Sequence, residues 1–387
     1  MNTNPTKHPP MIKFSHIYCL LLTVACLLVS CKKATYQQSS DKADSLKYSQ
    51  LLHIEHHDGY RLVTISDPWQ DNAILHQYAL VPTESKMPTY LPDGIEVLRT
   101  PLKRMCVSTS VHASLFRQLD ATANMSSVCD AEYIMDTTLV SLVSKGKIGN
   151  AGSSMNPNIE TIMRDNTDAI LMSPFKGASY GVIEKTGIPI IECADYMETS
   201  ALGRAEWIKF YGMLVGKESE ANKMFSDICD HYLALKKMAQ SATDHPKLLV
   251  DMLNAGTWYL PGGGSTYGIM FADAGANYQL GDPKLSGTQS LSLEKVITQA
   301  IDADIWLIKY GQAQDYTYST LGRENKAYSQ FKAFKQHKVY GCNTLKIPFY
   351  EEVPFHPDLL MADIIKILHP ELLPNHTLRY YTPLSQQ

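Results

Sequence analysis

Asn156 to Met172 reads NPNIETIMRDNTDAILM, and Ser290 to Ile308 reads SLSLEKVITQAIDADIWLI. The two stretches carry one pattern. A polar residue suited to capping a helix, Asn156 or Ser290, stands four positions before a glutamate, Glu160 or Glu294. An aliphatic helical face follows, then an aspartate eight residues after the glutamate (Asp168, Asp302), then an apolar run that reads as a strand. The glutamates lie 134 residues apart (294 − 160). Two like units predict two similar lobes, each with a glutamate in the first turn of a helix at a corresponding place. The helix dipole favours such a glutamate by about 0.3–1 kcal/mol, which would account for one. Two at matching places point to a shared external role.

Outward from these units, strands and helices alternate. Arg104 to Ser108, Ser127 to Cys129, Asp168 to Met172 and Ile188 to Cys193 read as strands. Val111 to Leu119, Asp136 to Ser144 and Tyr180 to Thr186 read as helices between them. From Gly59 to Pro82 the alternation is that of a hairpin leading into the core. Ser200 to Gln240 has no proline, and its apolar residues recur at helical spacing (Trp207, Phe210, Tyr211, Leu214, Met224, Ile228, Tyr232, Leu235). This predicts one long helix, or two joined near Gly216-Lys217. After His245-Pro246 alternation resumes, with strands at Leu248 to Met252, Ile305 to Ile308 and Val339-Tyr340. Helices are expected at Tyr267 to Ala274, Leu291 to Ala300, Ala327 to Lys335 and Asp358 to Leu368. The plan is α/β: two Rossmann-like lobes with mainly parallel sheets, joined by one long backbone helix. The expected boundaries are 51–198 for the first lobe, 199–241 for the interlobe helix and 242–387 for the second lobe.

A chain of 387 residues with 44% hydrophobic residues fits about two domains with sizeable cores. The net charge of −4 and the lack of a basic patch interleaved with aromatics speak against nucleic acid as a partner. At the N-terminus, Lys7 and Lys13 precede an apolar run from Ile17 to Val29, too short to span a membrane comfortably. The run ends in Leu28-Val29-Ser30-Cys31, which resembles a bacterial lipobox with Cys31 as the lipidated residue. The alternative is a plain secretory peptide with a chance cysteine. Residues 1–31 are thus read as a lipoprotein signal, whether from Met1 or Met11, and 32–50 as a polar tether. The protein is expected on the periplasmic face of the cell envelope, anchored by lipid.

Cys19, Cys26 and Cys31 belong to the signal, leaving Cys106, Cys129, Cys193, Cys229 and Cys342. An odd number at irregular spacing argues against a disulfide framework. Cys106, Cys129 and Cys193 lie in apolar strand-like runs and read as small buried hydrophobes. A Cys106–Cys129 bridge between neighbouring strands stays open.

No nucleophile elbow, P-loop, G-x-G-x-x-G or H-E-x-x-H occurs. Gly262-Gly263-Gly264 reads as a mobile or close-approach loop rather than a phosphate cradle. His53, Glu55, His56 and His57 read as solvated residues of an edge strand rather than metal ligands, and His112 and His356 as structural. No enzyme activity, cofactor or metal is expected.

A binding cleft fits better, because ligands of parallel α/β sheets bind beyond the carboxyl ends of strands. Reading those ends gives Ser108, Thr109, Tyr133, Phe175, Lys176 and Tyr196 in the first lobe. The second lobe gives Trp258, Tyr259, Lys309, Tyr310 and Tyr350, and Arg204 lies on the crossing. Aromatics supply broad contact at low entropy cost. Lys176, Lys309 and Arg204 offer charge to anionic groups. The alternative for each aromatic is core packing, which is the reading for Trp207 and Trp306.

The chain resembles the class III periplasmic substrate-binding proteins of ABC importers, which take up ferric siderophores, haem and vitamin B12. The resemblance is carried by the lipobox at Cys31, NIETIMRDNTDAILM from Asn158, TGIPIIECADYMETSALGRAEWIKFYGMLVG from Thr186 and LSLEKVITQAIDADIWLI from Leu291. ETSALGRAEWIKF and YEEVPFHPDLLMADIIKILHPEL look like the lipoprotein branch of Bacteroides-like bacteria. The resemblance implies two α/β lobes on a long backbone helix with little hinge motion. It implies one glutamate per lobe tip pairing with arginines of the permease, matched here by Glu160 and Glu294. The second copy departs slightly, its strand starting around Asp304, two residues late. The implied partners are a small-molecule metal chelate (ferric siderophore, haem or cobalamin) and an ABC permease, with the binding protein a monomer. No motif decides the ligand. The rival readings are a chelatase-like envelope enzyme on a related fold, and a scavenging binding protein without a transporter.

Overall fold

Both quoted stretches fold as a short helix followed by a buried parallel strand. Asn158 caps the first helix, accepting from the Thr161 N–H at 3.0 Å. Ser292 caps the second, accepting from the Lys295 N–H at 3.3 Å. The caps therefore lie two residues before each glutamate, not four. The reason is geometric: the cap is the last extended residue whose side chain reaches an N–H in the first turn, while Asn156 and Ser290 belong to short strands. The aspartates correct in the same way. Asp168 accepts from the backbone N–H groups of Lys103 and Arg104 at 2.8 and 3.0 Å. Its counterpart is Asp304, which accepts from the Lys247 N–H at 2.9 Å. Asp302 instead meets the Lys247 ammonium at the surface.

This computed structural model describes Met1, residues 46–177 and residues 179–386. The chain divides into two compact units, Met1–Asp41 and Lys42–Gln387, and of the first only Met1 is described. The signal, lipobox and Cys31 expectations lie outside the described residues, as does most of the expected tether. Residues 47–51, at its end, are tied down. Glu206 accepts from the N–H groups of Lys47, Tyr48 and Ser49, and Glu198 from those of Gln50 and Leu51.

Strands β1 (Leu52–His57), β2 (Tyr60–Ser66) and β3 (Ile74–Pro82) form an antiparallel meander, with β4 (Glu96–Thr100) parallel to β3. The first lobe then builds a sheet in the order β11-β10-β5-β6-β7 from β5 (Met105–Val107), β6 (Met125–Val128), β7 (Gly149–Asn150), β10 (Ala169–Met172) and β11 (Ile190–Glu192). All its pairings are parallel. A small hairpin of β8 (Gly152–Ser153) and β9 (Asn156–Pro157) precedes the repeat helix. The intervening helices are α1 (Ser110–Gln118), α2 (Thr137–Ser144) and α3 (Ile159–Arg164). A 3-10 turn, Ile183–Thr186, stands where a helix from Tyr180 was expected.

The crossing is three helices: α4 (Ala201–Glu206), α5 (Ile208–Val215) and α6 (Glu218–Ala239). Only α6 is long, about 33 Å at 1.5 Å per residue. Gly216 ends α5 in the left-handed region at φ +70°, where a side chain would be strained and would press on Pro101. Gly212 lets α5 and α6 touch, since a Cβ there would sit 2.3 Å from Ala221.

The second lobe contains β12 (Leu248–Val250), an antiparallel three-stranded sheet of β13 (Leu253–Asn254), β14 (Thr257–Pro261) and β15 (Thr288–Leu291), then β16 (Ile305–Tyr310), β17 (Val339–Asn343) and β18 (Thr382–Pro383). Its main sheet runs β12-β16-β17-β18, parallel except for β18. Helices α7 (Thr266–Asp273), α8 (Leu293–Ala300), α9 (Tyr318–Glu324), α10 (Lys332–Lys335), α11 (Phe349–Glu352) and α12 (Pro357–Leu368) complete it. The helix expected from Ala327 is a 3-10 turn, Lys326–Gln330, followed by α10. The apolar runs of β10 and β16 are buried on both faces, as parallel strands between helices require. Cys106, Cys129, Cys193, Cys229 and Cys342 are buried free thiols, so the Cys106–Cys129 bridge is not formed.

Candidate functional site

The carboxyl ends of β12 and β16 open into a cavity of about 930 Å³. Asp251, the residue after β12, adopts φ +60°, a left-handed conformation that Asp tolerates better than most residues. Two indoles hold that turn: Trp258 Nε1 donates to the Val250 carbonyl at 2.9 Å and Trp306 Nε1 to that of Asp251 at 2.7 Å. The Asp251 carboxylate is thereby set to receive the Lys309 ammonium at 2.6 Å. Lys309 also lies 5.8 Å from the Tyr267 ring centre and 6.0 Å from that of Phe349. Burial would lower its pKa, but Asp251 and the surrounding groups outweigh that and raise it, so Lys309 stays charged at the wall. Tyr267 lies in the first turn of α7, which Ser265 caps by accepting from the Gly268 N–H at 3.1 Å. The preceding Gly262-Gly263-Gly264 run is a close approach. A Cβ on Gly262 would sit 2.1 Å from the Leu285 carbonyl oxygen, and one on Gly263 2.7 Å from that of Gly281.

The first-lobe side of the wall is Tyr196 to Thr199, with Ala201 and Arg204. The Tyr196 hydroxyl donates to the Pro174 carbonyl. Arg204 donates through Nε to Asp195 at 3.0 Å and lines the cavity. Asp195 is fully buried and also receives Tyr211 OH at 2.8 Å and His112 Nε2 at 2.9 Å. Burial alone would raise its pKa, but His112, Arg204 and these hydrogen bonds hold it down to about 2. The arrangement offers two cations, each fixed by its own carboxylate, among the rings of Tyr196, Tyr259, Tyr267, Tyr310, Tyr316 and Tyr350. Such walls suit a large, partly aromatic ligand with peripheral anionic groups.

Six of the expected site residues line this cavity: Tyr196, Arg204, Tyr259, Lys309, Tyr310 and Tyr350. The others do not. Trp258 is a correction: it is 0% exposed and packs on Trp306 (5.9 Å), Tyr328 and Phe331. Ser108 is buried as well, and Thr109 is spent on capping α1 and on His112 Nδ1 at 2.6 Å. Tyr133, Phe175 and Lys176 are exposed but outside the cavity. Reasoning from sequence missed Asp251, Tyr267, Tyr316 and the methionines Met252 and Met270. Asp251 was hidden by reading its strand through to Met252, when β12 ends at Val250.

Glu160 and Glu294 are exposed in the first turns of α3 and α8. Hydrogen bonds from its own N–H and from Ser292 hold the Glu294 carboxyl below its ordinary pKa, so it is an anion. His356 Nε2 lies 2.5 Å from Gln118 Oε1, and Glu351 accepts from the Met135 N–H at 2.7 Å; both join the lobes away from the cavity. No helix among the described residues is long and apolar enough to cross a membrane.

Known proteins share this architecture. A possible iron-binding, periplasmic solute-binding protein from Staphylococcus epidermidis superposes with a TM-score of 0.56 at 16% identity, over 70% of this chain and 100% of that one. An ABC-type Fe3+-hydroxamate transport system protein from Saccharomonospora viridis gives 0.54 at 16% identity, over 79% and 98%. In sequence, an uncharacterized lipoprotein of Methanocaldococcus jannaschii is 28% identical over 295 residues, 73% of this chain and 68% of that protein. Residues 115–344, more than half the chain, match the family described as periplasmic binding protein, and the chain belongs to that family.

Proposed function

We propose that this protein is the lipid-anchored solute-binding component of an ABC importer. It captures an iron complex (a ferric siderophore or haem) or a cobalamin in the cavity and delivers it to the permease. The observation that carries this reading is the cavity itself. At about 930 Å³ it lies near the top of the range of roughly 300–1,000 Å³ for small-molecule sites. Its tyrosines present flat faces with polar tips, and Arg204 and Lys309 present charges already held in place. The two iron-related structural neighbours support the ligand class, and the lipoprotein relative supports anchoring through Cys31 at the periplasmic face. A chelatase reading would be favoured by a positioned histidine or carboxylate pair in the cavity. Its described lining holds no histidine, and its carboxylates are engaged singly: Asp251 by Lys309, Glu198 by Trp207 and the N–H groups of Gln50 and Leu51, and Glu324 by the Tyr316 hydroxyl.

Docking is assigned to Glu160 and Glu294, exposed glutamates at corresponding places in the two lobes that contact arginines of the permease. The test replaces both with alanine. Uptake in cells should fall while the purified protein binds its ligand as before. Normal uptake by the double variant would reject the docking assignment.

A further inference from the structure

We infer that Asp244, His369 and Glu371 form a binding site for one borderline divalent cation of the Zn2+ type, separate from the cavity. The His369 side chain, Asp244 and Glu371 each offer one ligand atom, and these atoms all lie within 4.8 Å of one another. None of the three lines the cavity.

The imidazole carries the argument. His369 is 0% exposed, and among the described residues neither ring nitrogen has a hydrogen-bond partner. A neutral buried imidazole has one N–H to donate and one lone pair to fill, so leaving both unmet is costly. Its Nε2 edge is closed by Gly275, where an added Cβ would sit 2.7 Å from that atom. The Nδ1 edge faces Asp244, whose Oδ1 lies 3.7 Å away. That gap is too long for a hydrogen bond. It is close to the separation of about 3.4 Å between two ligand atoms on one tetrahedral Zn2+. Asp244 and Glu371 are exposed, so they can close on an ion and water can complete its shell.

The setting also favours positive charge. His369 caps the C-terminal end of α12, and Asp244 follows the C-terminal end of α6 by a short turn. Helix C-termini carry partial negative charge. The nearby Lys366 ammonium is engaged by the carbonyls of Pro370 and Pro374 at 3.4 and 2.9 Å. One imidazole nitrogen with two carboxylates suits Zn2+ and its neighbours, whereas Mg2+ prefers an all-oxygen shell. A bound ion would fasten the end of the interlobe helix to the end of the closing helix.

The test titrates the chelator-treated full chain with Zn2+ by calorimetry, with Mg2+ alongside, and repeats it on Asp244→Asn/Glu371→Gln. Both substitutions are at the surface and leave the core intact. The wild type should take up one Zn2+ with a rise in Tm and should ignore Mg2+. The double variant should bind at least about tenfold more weakly, the loss that even an outer-sphere partner of a metal ligand produces. Two results would overturn the site: no Zn2+ uptake by the wild type, or uptake of equal affinity and stoichiometry in the variant.

Discussion

The two lobes share a core of three parallel strands and differ in how those strands end. In the first, β10 lies between β5 and β11; in the second, β16 lies between β12 and β17. Each central strand follows a helix with a polar cap and a glutamate in its second position. Each is led by an aspartate that ties the entry to the lobe's first strand, Asp168 in one and Asp304 in the other. At the carboxyl ends the likeness stops. Beyond β5, Ser108 is buried and Thr109 caps α1, while beyond β11 Asp195 turns inward to His112 and Tyr211 and only the following residues, from Tyr196, reach the cavity. Just past β12, Asp251, and at the last two positions of β16, Lys309 and Tyr310, open into the cavity. Topology fixes where a site can form. The residues at each strand's carboxyl end decide whether it is closed by the core or left for a ligand.

That contrast can be broken or sharpened by substitution. The largest effect is expected for Trp258→Ala, with a stability loss of about 3–5 kcal/mol in denaturant melts. Near-normal stability with weakened ligand binding would instead return Trp258 to the cavity wall. Asp195→Ala comes next, because it strands His112 and Arg204 without their shared carboxylate, a loss of about 3 kcal/mol or somewhat more. The pH dependence has a definite sign. The folded-state pKa of Asp195, about 2, lies below its ordinary 3.8. Its contribution, roughly 2 kcal/mol, is therefore complete above pH 3.8 and fades as the pH falls towards 2. Asp195→Asn should flatten acid denaturation in that window. Smaller in stability but decisive for the contrast is a pair of double variants. Lys309→Met/Tyr259→Ala should weaken ligand binding roughly tenfold or more, while Phe175→Ala/Lys176→Ala should leave it unchanged. The smallest effect on stability, within about 0.5 kcal/mol, is expected for Glu160→Ala/Glu294→Ala; its readout is uptake.

Much of the fold was legible because the decisive signals are local. The apolar runs of β10 and β16, the helical spacing of Trp207 to Leu235 and the repeated glutamates all survive reading one residue at a time. The caps were misplaced because several polar residues precede each glutamate, and only backbone geometry shows which one is the last extended residue. Gly216, in the left-handed region, separates α5 from α6 at the junction the sequence offered, whereas the break between α4 and α5 falls at Trp207, whose backbone stays right-handed and which carries no breaker signal in the sequence. The cavity was half legible. Strand ends could be found, but burial could not, so Trp258 and Tyr259 looked alike although alternation along β14 sends one to the core and leaves the other exposed. Tyr267 and Tyr316 reach the cavity from a helix start and a loop, which a search of strand ends passes over.

The most direct test of the account is a titration followed by ligand absorbance and intrinsic tryptophan fluorescence, using haem, cobalamin, a ferric hydroxamate and a ferric catecholate as probes. Trp306 donates to the backbone of Asp251 at the cavity wall, so occupancy should perturb its emission. The account predicts saturable quenching at one equivalent by at least one probe, weakened by Lys309→Met/Tyr259→Ala. Failure of every probe to bind, or binding that the double variant leaves untouched, would contradict it.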